Sequence, residues 1–130
     1  EPAYPVFLTA FDILNFVAKT RNYRKEKVNS LMDYFGVSSF KNQAIGGYSA
    51  GMLKKLSLCI AFCGEVSWVL LDEPFAFIDR ETETNLILYI EQKVKQGVNL
   101  IITSHHELAQ EDLDFKEIYV IRDHKLLIEK

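Results

Sequence analysis

The chain has 130 residues, of which 48% are hydrophobic and 25% are charged, the composition of one soluble globular domain. Fifteen Lys and Arg residues stand against eighteen Asp and Glu residues, and the net charge of −3 argues against a broad surface for nucleic acid or anionic membranes. No apolar stretch has the length of a membrane span, and the first residues lack the charge and apolar core of a signal peptide. We therefore expect a cytosolic protein that does not bind nucleic acid.

The first half of the chain is predicted to be helical. A first helix follows Thr9, which has an acid three residues later, the pattern of a capping box. A second helix has apolar residues spaced i, i+3, i+4, i+7 over residues 28–35, and Gly36 closes it. A third helix is expected to begin at Ser49 and to run to about Gly64.

The second half changes to strands that alternate with a helix. Residues 68–71 are a short continuous apolar run, typical of a strand buried on both faces of a parallel sheet. Asp79 is predicted to cap the next helix, which ends near Gly97, and residues 99–103 form a second buried strand. This order predicts a βαβ unit. The tail over residues 117–128 is predicted to form a hairpin or two edge strands.

Two acids follow the first predicted strand directly. Asp72 and Glu73 would therefore lie at the carboxyl edge of the sheet, where α/β proteins bind ligands. One acid there can hold Mg²⁺ through water, and the next can accept a proton from an attacking water. Because acids commonly follow buried strands, this feature alone is a weak functional signal.

Two further segments are compatible with phosphate binding, although each has an ordinary structural explanation. Residues 47–52 combine small residues with a helix start, which can bind an anion, but a capped helix after a glycine turn gives the same pattern. His105 follows the second predicted strand and would lie at the same sheet edge as Glu73. An imidazole there can contact a phosphate or a water, yet a lone histidine is usually only a loop residue.

Taken together, four segments occur in the order and spacing that are characteristic of one family of ATPases. They resemble the signature motif, the Walker B strand, the D-loop and the switch-histidine loop of an ABC ATPase. The four segments are Tyr48-Ser-Ala-Gly-Met52, Trp68-Val-Leu-Leu-Asp-Glu-Pro74, Ala76-Phe-Ile-Asp79 and Ile101-Ile-Thr-Ser-His105.

The resemblance implies an α/β fold that is part of a P-loop NTPase. Residues 1–65 would form the helical subdomain that contacts a membrane permease, and residues 66–130 would form the C-terminal part of the RecA-like ATPase core. The protein would then act at the inner face of the membrane.

Carried over residue by residue, the resemblance also implies roles in ATP hydrolysis. The γ-phosphate of an ATP bound to a second ATPase subunit would be bound by Ser49, Ala50 and Gly51. Asp79 would contact that second subunit.

The sheet edge receives the remaining implied roles. Asp72 would hold Mg²⁺ through water, Glu73 would be the catalytic carboxylate that acts on the attacking water, and His105 would sense the γ-phosphate.

The chain also departs from the family pattern. Ala50 replaces the first signature glycine, and Phe75 and Phe77 make the D-loop bulkier than usual. These 130 residues contain no Gly-x-x-x-x-Gly-Lys-Ser/Thr loop, and the family's Q-loop glutamine would precede Glu1. We therefore expect the chain by itself to be inactive.

Three functional hypotheses follow. The first is an ATPase subunit that powers transport, with a signature segment similar to that of exporters of drugs, lipids or polysaccharides. The second is the C-terminal lobe of an ABC-type ATPase of chromosome maintenance or DNA repair, but those proteins carry long coiled coils and this chain has no sustained heptads. The third is a non-catalytic scaffold of the same fold, against which the presence of Glu73 and His105 argues.

Overall fold

The computed structural model describes residues 4–105 and 113–129. Within these described residues there are four α-helices and four strands, with two short 3₁₀ turns between α2 and α3. The elements are α1 (Ala10–Thr20), α2 (Lys25–Tyr34), α3 (Ala50–Phe62), β1 (Trp68–Asp72), α4 (Arg80–Lys95), β2 (Asn99–Thr103), β3 (Tyr119–Arg122) and β4 (Lys125–Ile128). The predicted helical first half and the βαβ second half are confirmed, although α3 ends two residues before Gly64.

Side-chain caps fix where three of the helices begin. Thr9 and Asp12 form a capping box, in which the Asp12 carboxylate accepts a hydrogen bond from the Thr9 N–H at 3.0 Å. The Ser49 hydroxyl accepts a hydrogen bond from a backbone N–H of the first turn of α3 at 3.2 Å. Asp79 caps α4 in the same way at 2.8 Å. The caps predicted from sequence are therefore confirmed at the residues expected to provide them.

One continuous hydrophobic core joins the two halves of the chain. The apolar stripe of α2 is buried, as its spacing predicts, and α3 lies between the other helices and β1. The rings of Phe62 and Tyr89 meet edge to face with centroids 4.9 Å apart, and Phe35 stacks on Phe62. The Tyr34 hydroxyl donates a hydrogen bond to the Asn85 carbonyl of α4 at 3.0 Å. These aromatic contacts fix α4 against the helical first half.

The strands β1 and β2 pair in parallel, and their register places the polar strand ends side by side. Trp68 lies beside Asn99 at one end, and Asp72 lies beside Thr103 at the other. The residues that follow the two strands consequently emerge at the same edge of the sheet, as predicted.

The prediction that both strands are buried on both faces is wrong for the described residues. Val69 and Leu71 lie in the core, where α3 contacts β1 and α4 contacts β2. The opposite surface, which we call the outer face, carries Trp68, Leu70 and Ile101, and all three are exposed. No described element covers this face, so a strand with the composition of a central strand is buried on one side only.

The predicted hairpin at the end of the chain is confirmed. The strands β3 and β4 pair antiparallel, with Tyr119 beside Ile128 and Arg122 beside Lys125. The two residues between the strands have φ values of 47° and 60°, as a tight hairpin turn requires.

The outer face generates a prediction about association. We expect the isolated chain to self-associate, because an exposed apolar sheet face buries its surface against another copy. Leu70→Lys should shift the chain towards monomer, since Leu70 lies on the outer face and is 72% exposed. Leu88→Lys is the control, because Leu88 is also exposed (53%) but lies on α4. Sedimentation velocity of the three proteins checks this, and a monomeric wild-type chain would contradict it.

Candidate functional site

The carboxyl edge of the sheet brings Glu73 and His105 into contact. One Glu73 carboxylate oxygen accepts a hydrogen bond from the His105 backbone N–H at 2.5 Å and lies 3.8 Å from the His105 Nε2. The Glu73 backbone N–H donates to the Thr103 carbonyl at 3.2 Å, which continues the strand pairing. Glu73 has a φ of 46°, in the left-handed region, directly after its strand. The half-buried carboxylate is thus held by His105, two residues after the end of β2, while the imidazole remains open to solvent.

Asp72 lies beside this pair, and its own contacts come from two elements. Its carboxylate accepts a hydrogen bond from the Thr103 hydroxyl. Its backbone carbonyl accepts one from the Lys54 ammonium of α3 at 3.3 Å. Sequence reasoning did not single out Lys54, and the only signal was a basic residue two positions after the signature segment.

The carboxylates at this edge suit a cation that takes most of its ligands from water and from a bound substrate. Among residues 4–105 and 113–129, no group of three or more His, Cys, Asp and Glu side chains could enclose a metal ion. Mg²⁺ commonly binds one or two protein carboxylates and takes its other ligands from water and nucleotide phosphates. The exposed Asp72 carboxylate fits that pattern.

The signature segment forms the exposed start of α3. Ser49 is the cap, and Ala50 and Gly51 lie in the first turn, where backbone N–H groups have no acceptor within the helix. Ala50 has helical geometry, so the replacement of a glycine by alanine at this point is favourable for the backbone. The three residues form a compact arrangement of N–H groups and a hydroxyl that can hold an anion.

Asp79, at the end of the D-loop, is held by α3 as well as by its own helix. The Lys55 ammonium donates a hydrogen bond to the Asp79 carboxylate at 2.7 Å, and Thr82 donates to it through its N–H and its hydroxyl. The Lys55 contact and the Thr82 bonds together hold the Asp79 pKa well below its ordinary value of 3.8. The carboxylate therefore stays ionised at neutral pH. Sequence reasoning also missed Lys55.

The D-loop backbone packs directly against the signature segment. A Cβ atom added to Gly51 would lie 2.8 Å from the Phe77 carbonyl oxygen, closer than such contacts occur. A concavity of about 290 Å³ lies between the two segments, and the residues that line it include Ser49, Gly51, Lys55, Phe77 and Asp79. Gly51 is thus required by the contact between these two segments, whatever ligand they bind.

The predicted site residues accordingly fall into two groups. Asp72, Glu73 and His105 meet at the sheet edge. The signature residues and Asp79 meet at the start of α3. The loop of residues 73–79 connects the groups, because Glu73 begins it and Asp79 ends it. The structure brings each group together, and the roles of the residues remain predictions.

The described helices include none that is long and apolar enough to cross a membrane.

Comparisons with known proteins agree with the motifs. The family model described as "ABC transporter" matches residues 6–76. ABC transporter G family member 20 of Dictyostelium discoideum is 28% identical over 92% of this chain and 17% of its own length. The cytochrome c biogenesis ATP-binding export protein CcmA of Histophilus somni is 31% identical over 82% of this chain and 50% of its own length. The chain therefore spans half or less of each relative.

A solved structure described as the ATP-binding subunit of an ABC transporter has the same fold. It superposes with a TM-score of 0.76 at 20% sequence identity, and the match covers 85% of this chain and 48% of that one. The P-loop NTPase fold predicted from the motifs is confirmed.

The contact between Gly51 and the D-loop predicts a selective effect of alanine. Gly51→Ala should lower the free energy of unfolding by about 1–2 kcal/mol, because the Phe77 carbonyl must move and the gain in helix propensity only partly compensates. Gly47→Ala is the matched control and should change it by less than about 0.5 kcal/mol, since nothing lies within 4 Å of its added methyl group. Urea unfolding of both variants measures the difference. Equal effects would show that the close contact has no energetic cost.

Proposed function

Because this chain belongs to the ABC transporter family, we propose that it supplies part of the site at which an ATPase subunit hydrolyses ATP to drive transport. The observation that carries the proposal is the contact between Glu73 and His105 beside Asp72, at the ligand-binding edge of a parallel sheet. Because the chain spans half or less of its relatives, the activity is proposed for the whole protein that contains it.

Glu73 is the proposed catalytic base. Its carboxylate is half-buried and fixed by the His105 N–H, so it is held in one place from which it can accept a proton from an attacking water. The His105 imidazole lies on the open side of Glu73 and can donate to the γ-phosphate. Positioning by β2 lets both groups act on the same water and phosphate.

Asp72 is the proposed contact to Mg²⁺, through water. Bound Mg²⁺ would neutralise negative charge on the phosphates during transfer. The Thr103 hydroxyl orients the Asp72 carboxylate, and the Lys54 bond to the Asp72 carbonyl ties this position to α3.

A second ATPase subunit is the proposed partner of the signature segment. By their match to the family's signature motif, Ser49, Ala50 and Gly51 are assigned to the nucleotide of that second subunit. Their N–H groups and hydroxyl suit the γ-phosphate of an ATP carried by the other subunit. Asp79 would contact that subunit from the adjacent D-loop.

We assign residues 1–65 to the helical subdomain that contacts a permease and residues 66–130 to the ATPase core, on the cytoplasmic side of the membrane. Export is the proposed direction. It is supported by the similarity of Tyr48-Ser-Ala-Gly-Met52 and Leu53-Lys-Lys-Leu-Ser-Leu58 to exporter signatures, and CcmA, one of the relatives, is named as an export protein.

Removing the proposed base should separate binding from turnover. In the protein expressed from its own gene, Glu73→Gln should bind ATP as before but hydrolyse it at least about 100-fold more slowly, because the amide cannot accept a proton. Glu91→Gln is the control, since Glu91 lies on α4 and forms an ion pair with Lys95, one turn away on the same helix. Steady-state phosphate release and nucleotide binding are measured in parallel. Wild-type turnover in Glu73→Gln would exclude Glu73 as the base.

The 130-residue chain alone should bind MgATP only weakly. Asp72 needs a phosphate-bound metal to hold, and the signature segment is proposed to act on another subunit's nucleotide. Calorimetric titration of the chain with MgATP measures this. A micromolar dissociation constant, corresponding to about −8 kcal/mol, would show that these residues hold a nucleotide without a partner.

A further inference from the structure

Glu73 adopts a backbone conformation that its position in the sequence disfavours. Its φ of 46° lies in the left-handed region, which non-glycine residues other than Asn, Asp and His rarely adopt. Pro74 follows it directly, and a residue that precedes proline favours extended backbone with negative φ. Such a conformation persists only where surrounding contacts impose it. The contacts on either side of Glu73 must therefore hold it.

The peptide unit that joins Asp72 to Glu73 is hydrogen-bonded through both of its polar groups. Its N–H, which belongs to Glu73, donates to the Thr103 carbonyl at 3.2 Å. Its carbonyl, which belongs to Asp72, accepts a hydrogen bond from the Lys54 ammonium at 3.3 Å. The two groups of a trans peptide point in opposite directions, so the plane is held from both sides. A rotation of this plane would change the φ of Glu73, and both bonds resist it.

The backbone conformation of Glu73 sets the direction of its carboxylate. One carboxylate oxygen accepts a hydrogen bond from the His105 N–H at 2.5 Å, and a change of φ would swing the side chain away from that contact. The Thr103 bond continues the strand pairing and needs only backbone atoms. The Lys54 bond depends on the side chain at that position. Lys54 is thus the residue whose identity matters for the orientation of this peptide.

Lys54 contributes little to the packing of α3 itself. The helix is held in the core by buried apolar side chains, among them Leu56, Leu58 and Phe62. Lys54 is only partly buried and its partner Asp72 is exposed, so water competes for the hydrogen bond and its net contribution to stability is small. The main consequence of the bond is therefore local, at the peptide that precedes the Glu73 side chain.

We propose that Lys54 is a positioning residue, which holds the peptide unit between Asp72 and Glu73 in the orientation that keeps the Glu73 carboxylate directed at the attacking water. The inference rests on the proposed function, in which Glu73 is the base, and it adds a residue of α3 to that site. Lys54 acts through Glu73 and contacts neither the water nor the nucleotide. Its loss should consequently slow turnover without weakening nucleotide binding.

The experiment uses the protein expressed from its own gene. Lys54→Met removes the donor but keeps a side chain of similar length, and Lys54→Arg restores a donor. Lys95→Met is the matched control, because it removes the same group from α4, where Lys95 pairs with Glu91. Steady-state phosphate release gives kcat and the KM for MgATP of each variant. Lys54→Met and Lys95→Met are also measured in combination with Glu73→Gln.

Lys54→Met should lower kcat about tenfold and leave the KM for MgATP within about twofold of wild type, because a misdirected base slows only the chemical step. Lys54→Arg should stay within about threefold of wild type in kcat, and Lys95→Met should match it. In the Glu73→Gln protein, Lys54→Met should cause no further loss of the residual turnover, since the group that it positions is already absent. General damage to the fold would instead lower the residual turnover by the same factor.

An unchanged kcat in Lys54→Met would overturn the inference and leave the proposed function intact. A rise in KM without a fall in kcat would also overturn it and would assign Lys54 to nucleotide binding. A tenfold loss that persists in the Glu73→Gln protein would overturn it as well, because Lys54 would then act independently of that carboxylate. Wild-type turnover in Glu73→Gln alone would remove Glu73 as the base, and both proposals would fail.

Discussion

The parallel pairing of β1 with β2 is the contact on which the candidate site depends. Its register sets Asp72 beside Thr103, and from there the chain delivers Glu73 and His105 to the same point in space from sequence positions 32 residues apart. A shift of one residue would turn every side chain of the shifted strand to the other face and separate the carboxylates from the histidine. The apolar side chains of Val69 and Leu71, buried against the helices, keep the register fixed. The arrangement of the candidate site at the sheet edge therefore depends on how the strands pack in the hydrophobic core.

The helix α3 connects this edge to the signature segment. Ser49 caps this helix and Gly51 lies in its first turn, while Lys54 and Lys55 of the next turn contact Asp72 and Asp79. Neighbouring lysines therefore contact Asp72, the residue just before the loop of residues 73–79, and Asp79, the residue that ends it. Because α3 is rigid and makes both contacts, it couples the position of the signature segment to the positions of Asp72 and Asp79. A displacement of one of these segments would therefore move the others.

Local sequence signals predicted much of this structure because they act over a few residues. The cap at Asp79, the left-handed closure at Gly36 and the run that became β1 are each determined by short-range geometry or apolar composition. The acids and the histidine were located at the sheet edge for the same reason. The contacts of Lys54 and Lys55 could not be predicted, because they join residues that are 18 and 24 positions apart and depend on the tertiary packing of α3. The burial of β1 and β2 on both faces was inferred from their apolar composition. Composition shows that a strand can be buried, but it does not show which of its faces the neighbouring elements cover.

The outer face of β1 contains the single tryptophan of the chain, Trp68, with its indole ring open to solvent. An indole in water emits at longer wavelength than one in an apolar environment, and all other aromatic residues here are Phe or Tyr. Tryptophan emission from this chain, excited at wavelengths that tyrosine does not absorb, therefore reports on one surface alone. Coverage of the outer face by any further polypeptide would shift the emission to the blue without a label. Events at the signature segment, at the start of the helix that packs on the other face of β1, would leave the environment of Trp68 unchanged.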